Sequence, residues 1–213
     1  ESRTFSPEDL VVFGAPVYGG RVFQGALERL APLQGNNTPC LVTVTYGNRD
    51  FDDALLELTD FCREHGFAPF AGAALVGEHT YGSVQKGRPN AHDLDQDRAF
   101  ALEAWEDLQA GWTDFAPPGN RPYKEGGKGG SFVPTTTEDC IHCGLCVRQC
   151  PMQAIAPDCA AIDPEKCISC FRCVKGCPQH AKGVFTPAYE SFAAAFSEKL
   201  KEPKENAYFL PRG

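Results

Sequence analysis

The sequence has no apolar run of the roughly 18 or more residues that a membrane-spanning helix needs, so no such helix is expected in it. No basic, hydrophobic leader opens it. The first ten residues, ESRTFSPEDL, are polar and acidic, which predicts no export signal and a cytoplasmic location. A basic surface is missing too: 20 Lys and Arg against 28 Asp and Glu leave a net charge of −8. That sign excludes nucleic acid, whose phosphates call for clustered cations, and favours docking onto basic patches of partner proteins. No strand-like segment leads into G-x-G-x-x-G, so the nicotinamide fingerprint is absent. Cysteine is scarce over the first 139 residues, which carry only Cys40 and Cys62, whereas nine of the 11 cysteines fall between Cys140 and Cys177. Crowding of that kind, without an export signal, excludes a secreted disulfide framework and points to a metal site.

The crowding is a repeat. CIHCGLCVRQCP (Cys140–Pro151) returns as CISCFRCVKGCP (Cys167–Pro178), 27 residues on, and each unit reads C-x2-C-x2-C-x3-C-P. Structural zinc prefers two C-x2-C pairs across a longer loop and fits this spacing poorly. The spacing is that of the run that holds [4Fe–4S] clusters in bacterial ferredoxins. Over about residues 135–185 the chain resembles a two-cluster ferredoxin domain. The resemblance implies a small α+β domain with pseudo-twofold symmetry that transfers single electrons at low potential. It also implies crossed ligation, because the fourth cysteine of each run serves the other cluster. Cys140, Cys143, Cys146 and Cys177 would hold one cluster; Cys167, Cys170, Cys173 and Cys150 would hold the second. Pro151 and Pro178 fix the chain direction after each run. Ile141 with Ile168, and Val147 with Val174, repeat as candidate walls against water, while Gly144 against Phe171 breaks the symmetry. His142 and His180 stand beside ligands and suit hydrogen bonding better than ligation. Cys159 lies outside the repeat and reads as a spare loop thiol or an extra ligand. Cys40 and Cys62 read as small buried hydrophobes.

Ahead of the repeat, strands and helices alternate. LVVFG (Leu10–Gly14), PCLVTVTYGN (Pro39–Asn48) and AGAALVG (Ala71–Gly77) read as strands. Val22, Ala26, Leu27 and Leu30 recur at helical spacing, as do Ala54, Leu55, Leu58, Phe61 and Cys62, with Gly66 as a C-cap. Asp93 and Gln96 have capping-box spacing before a third helix bearing Leu102, Trp105 and Leu108, closed by Gly111. This is the pattern of an α/β, doubly wound parallel sheet. Prolines and glycines then mark a linker, and Tyr189, Phe192, Ala193, Phe196 and Leu200 draw a last amphipathic helix before a charged, loose tail. The expected divisions are 1–111, a linker over 112–134, the ferredoxin domain at 135–185, and a C-terminal helix and tail at 186–213.

In open α/β sheets ligands bind beyond the carboxyl ends of the strands. GAPVYGGR (Gly14–Arg21) and TYGNRDFDD (Thr45–Asp53) stand there, each with an aromatic residue beside glycines. Both resemble the loops that embrace the flavin ring in flavodoxins. Together with PGNRPYKE and the ferredoxin repeat, the whole chain resembles the flavodoxin–ferredoxin fusion family of anaerobic bacteria. The resemblance implies FMN at Pro16, Val17, Tyr18, Gly19, Thr45, Tyr46, Gly47 and Asn48, next to two [4Fe–4S] clusters. A flavodoxin would also carry a Ser/Thr-Gly-Thr-rich phosphate loop on an earlier strand. No such segment precedes Leu10, which predicts a flavodoxin-like part lacking its first β-α units. The function expected is an electron carrier, with FMN linking two-electron to one-electron partners. Two others stand beside it: a flavin-dependent reductase with Tyr81 or His79 as its acid, and a ferredoxin with a flavin-free docking domain.

Overall fold

The computed structural model describes residues 2–211. In chain order the elements are β1 (Arg3–Thr4), β2 (Val11–Tyr18), β3 (Arg21–Val22), α1 (Gln24–Leu30), β4 (Leu33–Gln34), β5 (Thr38–Tyr46), α2 (Ala54–Glu64), β6 (Phe67–Val76) and α3 (Ala91–Gln109). They continue as β7 (Thr135–Thr136), α4 (Leu145–Gln149), α5 (Arg172–Lys175), β8 (Lys182–Gly183), α6 (Pro187–Lys199) and β9 (Ala207–Phe209). The chain forms two compact units. One comprises the residues up to His79, Val84–Lys128 and those from Glu202 on; the other comprises Thr80–Ser83 and Gly129–Lys201.

The first unit is a mixed α/β structure around a five-stranded sheet of order β3-β2-β5-β6-β9. Its three long strands, β2, β5 and β6, run parallel, and the short β3 and β9 pair antiparallel at the edges. β5 takes the centre because TPCLVTVTY is rich in β-branched residues and largely buried, as a strand covered on both faces must be. Two layers of helix follow from alternation along the strands. Leu55, Leu58 and Cys62 of α2 pack with Val42, Val44 and Val76, whereas Phe100 and Ala104 of α3 pack with Leu41, Ala71 and Ala73. Cys40 and Cys62 are both fully buried in the first of these layers. α2 ends where Gly66 takes a φ of +80°, the left-handed geometry that glycine adopts without penalty.

Several local expectations are corrected. β2 does not stop at Gly14 but runs to Tyr18, so Pro16 and Val17 lie within a strand, and Gly19 and Gly20 form a tight turn into β3. Val22 belongs to β3 rather than to a helix. α3 is capped three residues earlier than the Asp93–Gln96 spacing implied: Asn90 is the N-cap and forms a capping box with Asp93. Its inner face is also different. Phe100 and Ala104 are buried, while Leu102 is 66% exposed and Trp105 is 46% exposed. The i, i+4 pair of Phe100 and Ala104 directs the helix, and Leu102 and Trp105 fall off that stripe.

Residues 112–128 are part of the first unit's packing rather than a free linker. Phe115 is buried in the core, and a Cβ on Gly72 would come within 2.6 Å of its ring, so β6 carries glycine there. The Asp53 carboxylate, itself buried, accepts the amides of Asn120 and Lys124, each at 2.8 Å. The tail is equally engaged. β9 pairs with Gly72–Ala74, Asn206 Oδ1 accepts Val76 N at 2.8 Å, and Tyr208 donates to Asp97 at 2.6 Å.

Asp93 also joins α3 to the loop before it. Arg88 grips it with two bonds, Nε to Oδ2 at 2.6 Å and Nη2 to Oδ1 at 2.5 Å, with both side chains largely buried. Burial alone would raise the Asp93 pKa, but the guanidinium and the Asn90 amide more than offset it and hold the carboxyl below its usual range. Asp93→Ala is therefore expected to cost about 3–5 kcal/mol, because a buried guanidinium loses its partner. A lowered urea midpoint checks this. A carboxylate with a depressed folded pKa contributes its stability above the unfolded value of about 3.9 and loses it as pH falls through the folded value. The wild-type midpoint should thus fall below about pH 4, and the gap between wild type and Asp93→Ala should close there.

Candidate metal centre

The second unit is built twice over from one local pattern. α4 and α5 are single turns that carry the third cysteine of each run, Cys146 and Cys173, and both begin after a left-handed residue, Gly144 at φ +73° and Phe171 at φ +54°. Such a conformation costs a non-glycine residue roughly 1–2 kcal/mol. Phe171 is held in it by burial among Tyr81 and Tyr189, with ring centroids 5.1 and 5.6 Å away. Tyr81 also meets Phe132 at 5.6 Å and Phe192 of α6 at 5.8 Å, so it sits inside an aromatic cluster rather than presenting an acid to a substrate. Two short strands, β7 and β8, close the unit with the pairs Thr135–Gly183 and Thr136–Lys182.

Two cavities emerge. One is lined by Cys140, Cys143, Cys146 and Cys177, the other by Cys150, Cys167, Cys170 and Cys173. Each gathers three thiols from one run and the fourth from the other. The equivalence extends beyond sulfur. Ala154 N donates to Cys150 Sγ at 3.3 Å, and Ala181 N donates to Cys177 Sγ at the same distance. Pro151, Met152, Ala154 and Ile155 line one cavity where Pro178, Gln179, Ala181 and Lys182 line the other. Ile168 and Ile141 each line a cavity, but Ile141 is 61% exposed and Ile168 half-buried; Val147 and Val174 are not part of either lining.

The donor set fits an iron–sulfur cubane. Four thiols of the two runs line each cavity from four separate backbone positions, as a cluster with four corner irons requires, and Cys159 adds a fifth to the first cavity. Among the described residues no three His, Cys, Asp or Glu side chains close on a point suited to a single ion. Burial pushes the Cys167 thiol up, and it pushes Cys173 up to about 11, with neighbouring Cys170 adding to the effect. Free thiols of this kind hold their protons at neutral pH, so iron must displace protons as it binds.

Cys159, outside the repeat in the sequence, is a loop thiol that is buried, lines the first cavity, and lies within hydrogen-bonding reach of Cys146. Lys182 belongs to neither run. It is 3% exposed, and its ammonium donates to Thr136 Oγ1 at 2.5 Å and to the carbonyl of Cys159. The 27-residue offset that relates the runs would have exposed it, since Lys182 falls opposite Ile155. His142 and His180 stay on the surface; His142 Nδ1 bonds the Asp158 carbonyl at 2.7 Å.

The expected flavin residues fare differently. Tyr46 is a core side chain, 5% exposed and packed on Phe51, so it offers no open face to a ring. Asn48 is buried, with its amide bonded to Glu202 O and its carbonyl to Lys204 N, both at 2.8 Å. Thr45 and Tyr46 end β5, and a Cβ on Gly47 would strike the His79 ring. Tyr18 lies half-buried on Phe23, and its carbonyl accepts Gly127 N at 2.8 Å. A cavity of about 430 Å³ is lined by Arg21, Glu125, Gly126 and Lys128; none of the expected flavin residues is in that lining, and it adjoins the Tyr18–Gly19 turn through Gly126.

Residues 139–181 match the family described as a 4Fe-4S dicluster domain. No curated protein and no solved structure matches the chain. The match coincides with the two cavities and indicates an iron–sulfur electron-transfer role. Among the described residues no helix is long and apolar enough to cross a membrane.

If the thiols act in the sets that line the cavities, Cys150→Ala should disturb the cluster of Cys167, Cys170 and Cys173. The cluster of Cys140, Cys143 and Cys146, nearer in sequence, should survive. Hyperfine-shifted cysteine signals in the NMR spectrum distinguish the two results. Cys159→Ala should leave the iron content unchanged.

Proposed function

We propose that the chain is an electron carrier that holds two [4Fe–4S] clusters by crossed ligation and passes single electrons through them. The observation that carries this is the mixed origin of each thiol set, three cysteines from one run and one from the other around each cavity. Bound clusters would supply one-electron exchange at low potential. The protein's own part is to hold, shield and bias. Eight thiolates would fix the irons, Ala154 N and Ala181 N direct hydrogen bonds at ligand sulfurs, and Ile155 and Ile168 keep water from one cavity wall. A net charge of −8 suits partners that present basic docking surfaces.

FMN binding is favoured by one observation, the cavity beside the Tyr18–Gly19 turn. Lys128 gives that cavity a cation apt for a phosphate, although Arg21 in its lining is already paired with Glu57 and Glu125 adds an anion; its volume falls within the usual range of about 300–1,000 Å³ for small-ligand sites. The candidate ring contact is then Tyr18 rather than Tyr46.

Anaerobically purified protein should contain about eight iron and eight sulfide per chain, as two four-iron cubes require. It should take up electrons one at a time in a dithionite titration. Iron at half that amount, or none, overturns the two-cluster function. Flavin titration treats FMN separately. If FMN binds, Tyr18→Ala should weaken it roughly 5- to 150-fold, the equivalent of about 1–3 kcal/mol for a lost aromatic stack. Absence of binding removes FMN and leaves the iron–sulfur function standing.

A further inference from the structure

The two cavities correspond in their run cysteines but differ in several side chains, Met152 against Gln179, Arg172 against Leu145 and Ile155 against Lys182. Ile155 lines the cavity of Cys150, Cys167, Cys170 and Cys173, and the residue 27 positions later, Lys182, lines the cavity of Cys140, Cys143, Cys146 and Cys177. The backbone treatment of the sulfurs is matched, since Ala154 N and Ala181 N both stand 3.3 Å from a ligand sulfur. What differs is a buried positive charge. Lys182 is 3% exposed, and its bonded acceptors, Thr136 Oγ1 and the Cys159 carbonyl, are neutral oxygens. They satisfy donors but not charge, and a buried ammonium without a counter-charge is costly.

A cluster held by four thiolates is net negative and becomes more so when reduced. It would supply the missing counter-charge, and the ammonium would in turn favour the reduced state. Arg172 brings a cation to the other cavity, at the place corresponding to Leu145 in the first. Arg172 is exposed, so water and salt screen its charge, whereas Lys182 is shielded from both. Arg148 and Lys175 occupy corresponding positions, are both exposed, and cancel as a source of asymmetry.

Resting on the two-cluster function above, we propose that Lys182 sets the two clusters apart in potential, so that the one held by Cys140, Cys143, Cys146 and Cys177 takes the first electron. The step is a plain one-electron transfer from an external one-electron reductant to the cluster irons, with no atom or proton moved. Lys182 is a positioning residue in this sense: it ligates nothing and acts through its charge. Its charge also reaches Cys173 of the other set, so the second cluster should feel a smaller effect in the same direction.

The test is a stepwise dithionite titration followed by paramagnetic NMR, with the cysteine β-protons assigned by residue. In the unmodified protein, the signals of Cys140, Cys143, Cys146 and Cys177 should respond first. If those of Cys150, Cys167, Cys170 and Cys173 respond first, or all eight respond together, the proposal is overturned without any variant. Lys182→Ile, which copies the residue of the other half, should lower the reduced-to-oxidised ratio of the first cluster at fixed poise about tenfold, ~59 mV for a one-electron couple. Lys182→Arg should keep the wild-type order. An unchanged order and spacing in Lys182→Ile, with about eight irons still bound, also overturns it. Iron below that level in the unmodified protein brings down the two-cluster function itself, a failure distinct from a wrong order of reduction.

Discussion

In each run of four cysteines spanning eleven residues, the first three line one cavity and the fourth lines the other. The structure of the second unit follows from that constraint. Three thiols in each run come from a loop and the first residues of a single helical turn, while the fourth lies after the turn and faces the other cavity. On the proposed crossed ligation, each half would depend on its twin for a complete donor set, and the duplication would be a requirement rather than a redundancy. The left-handed residues at 144 and 171 serve the same end, turning the chain so that the third thiol enters its cavity. One half uses glycine; the other uses a phenylalanine whose strain is offset by aromatic packing.

In the first unit, buried carboxylates perform the organising role that sulfur performs in the second. Asp53 collects the amides of residues 120 and 124, and Asp60 collects Arg121 and Tyr123. Glu57 receives Arg21 and the Val22 amide, tying the β2–β3 turn to α2. Burial acts to raise the pKa of both aspartates, and hydrogen bonds more than reverse it: Asn120 and Lys124 at Asp53, Tyr123 and Arg121 at Asp60. The segment rich in proline and glycine is thus ordered by anions rather than by regular secondary structure.

That difference explains what could be read in the sequence. The cysteine repeat was legible because ligand spacing is a local property within each run; which run the fourth cysteine serves is not local, and only the resemblance implied it. The long parallel strands were legible from unbroken β-branched stretches such as LVTVT. By contrast, the packing of residues 112–128 depends on carboxylates some 60 residues earlier, and no periodicity marks them. β9 is three residues long, too short to carry an alternating pattern, and its anchors, Asn48 and Asn206, are polar residues that read as loop. Tyr46 and Asn48 misled for a related reason. A tyrosine and an asparagine beside glycine resemble a ligand loop whether they face a ligand or close a core.

Lys182 is marked in the sequence only by the 27-residue offset, and its composition conceals it. A lysine two residues after a histidine, near a chain reversal, has the composition of a solvated turn. Its burial follows from β8, which pairs with β7 and places Thr136 and the Cys159 carbonyl around the ammonium. Cys159 in turn takes a φ of +67°, which aims its carbonyl at Lys182 while its thiol lies by Cys146. One residue outside the repeat therefore serves two parts of the first cavity, and nothing at the corresponding place in the second cavity does the same. Duplication supplied two equal sites; the departures from it, at 159 and 182, give them unequal electrostatics. A carrier with two identical sites leaves the position of its electron undecided, and a single buried charge is enough to decide it.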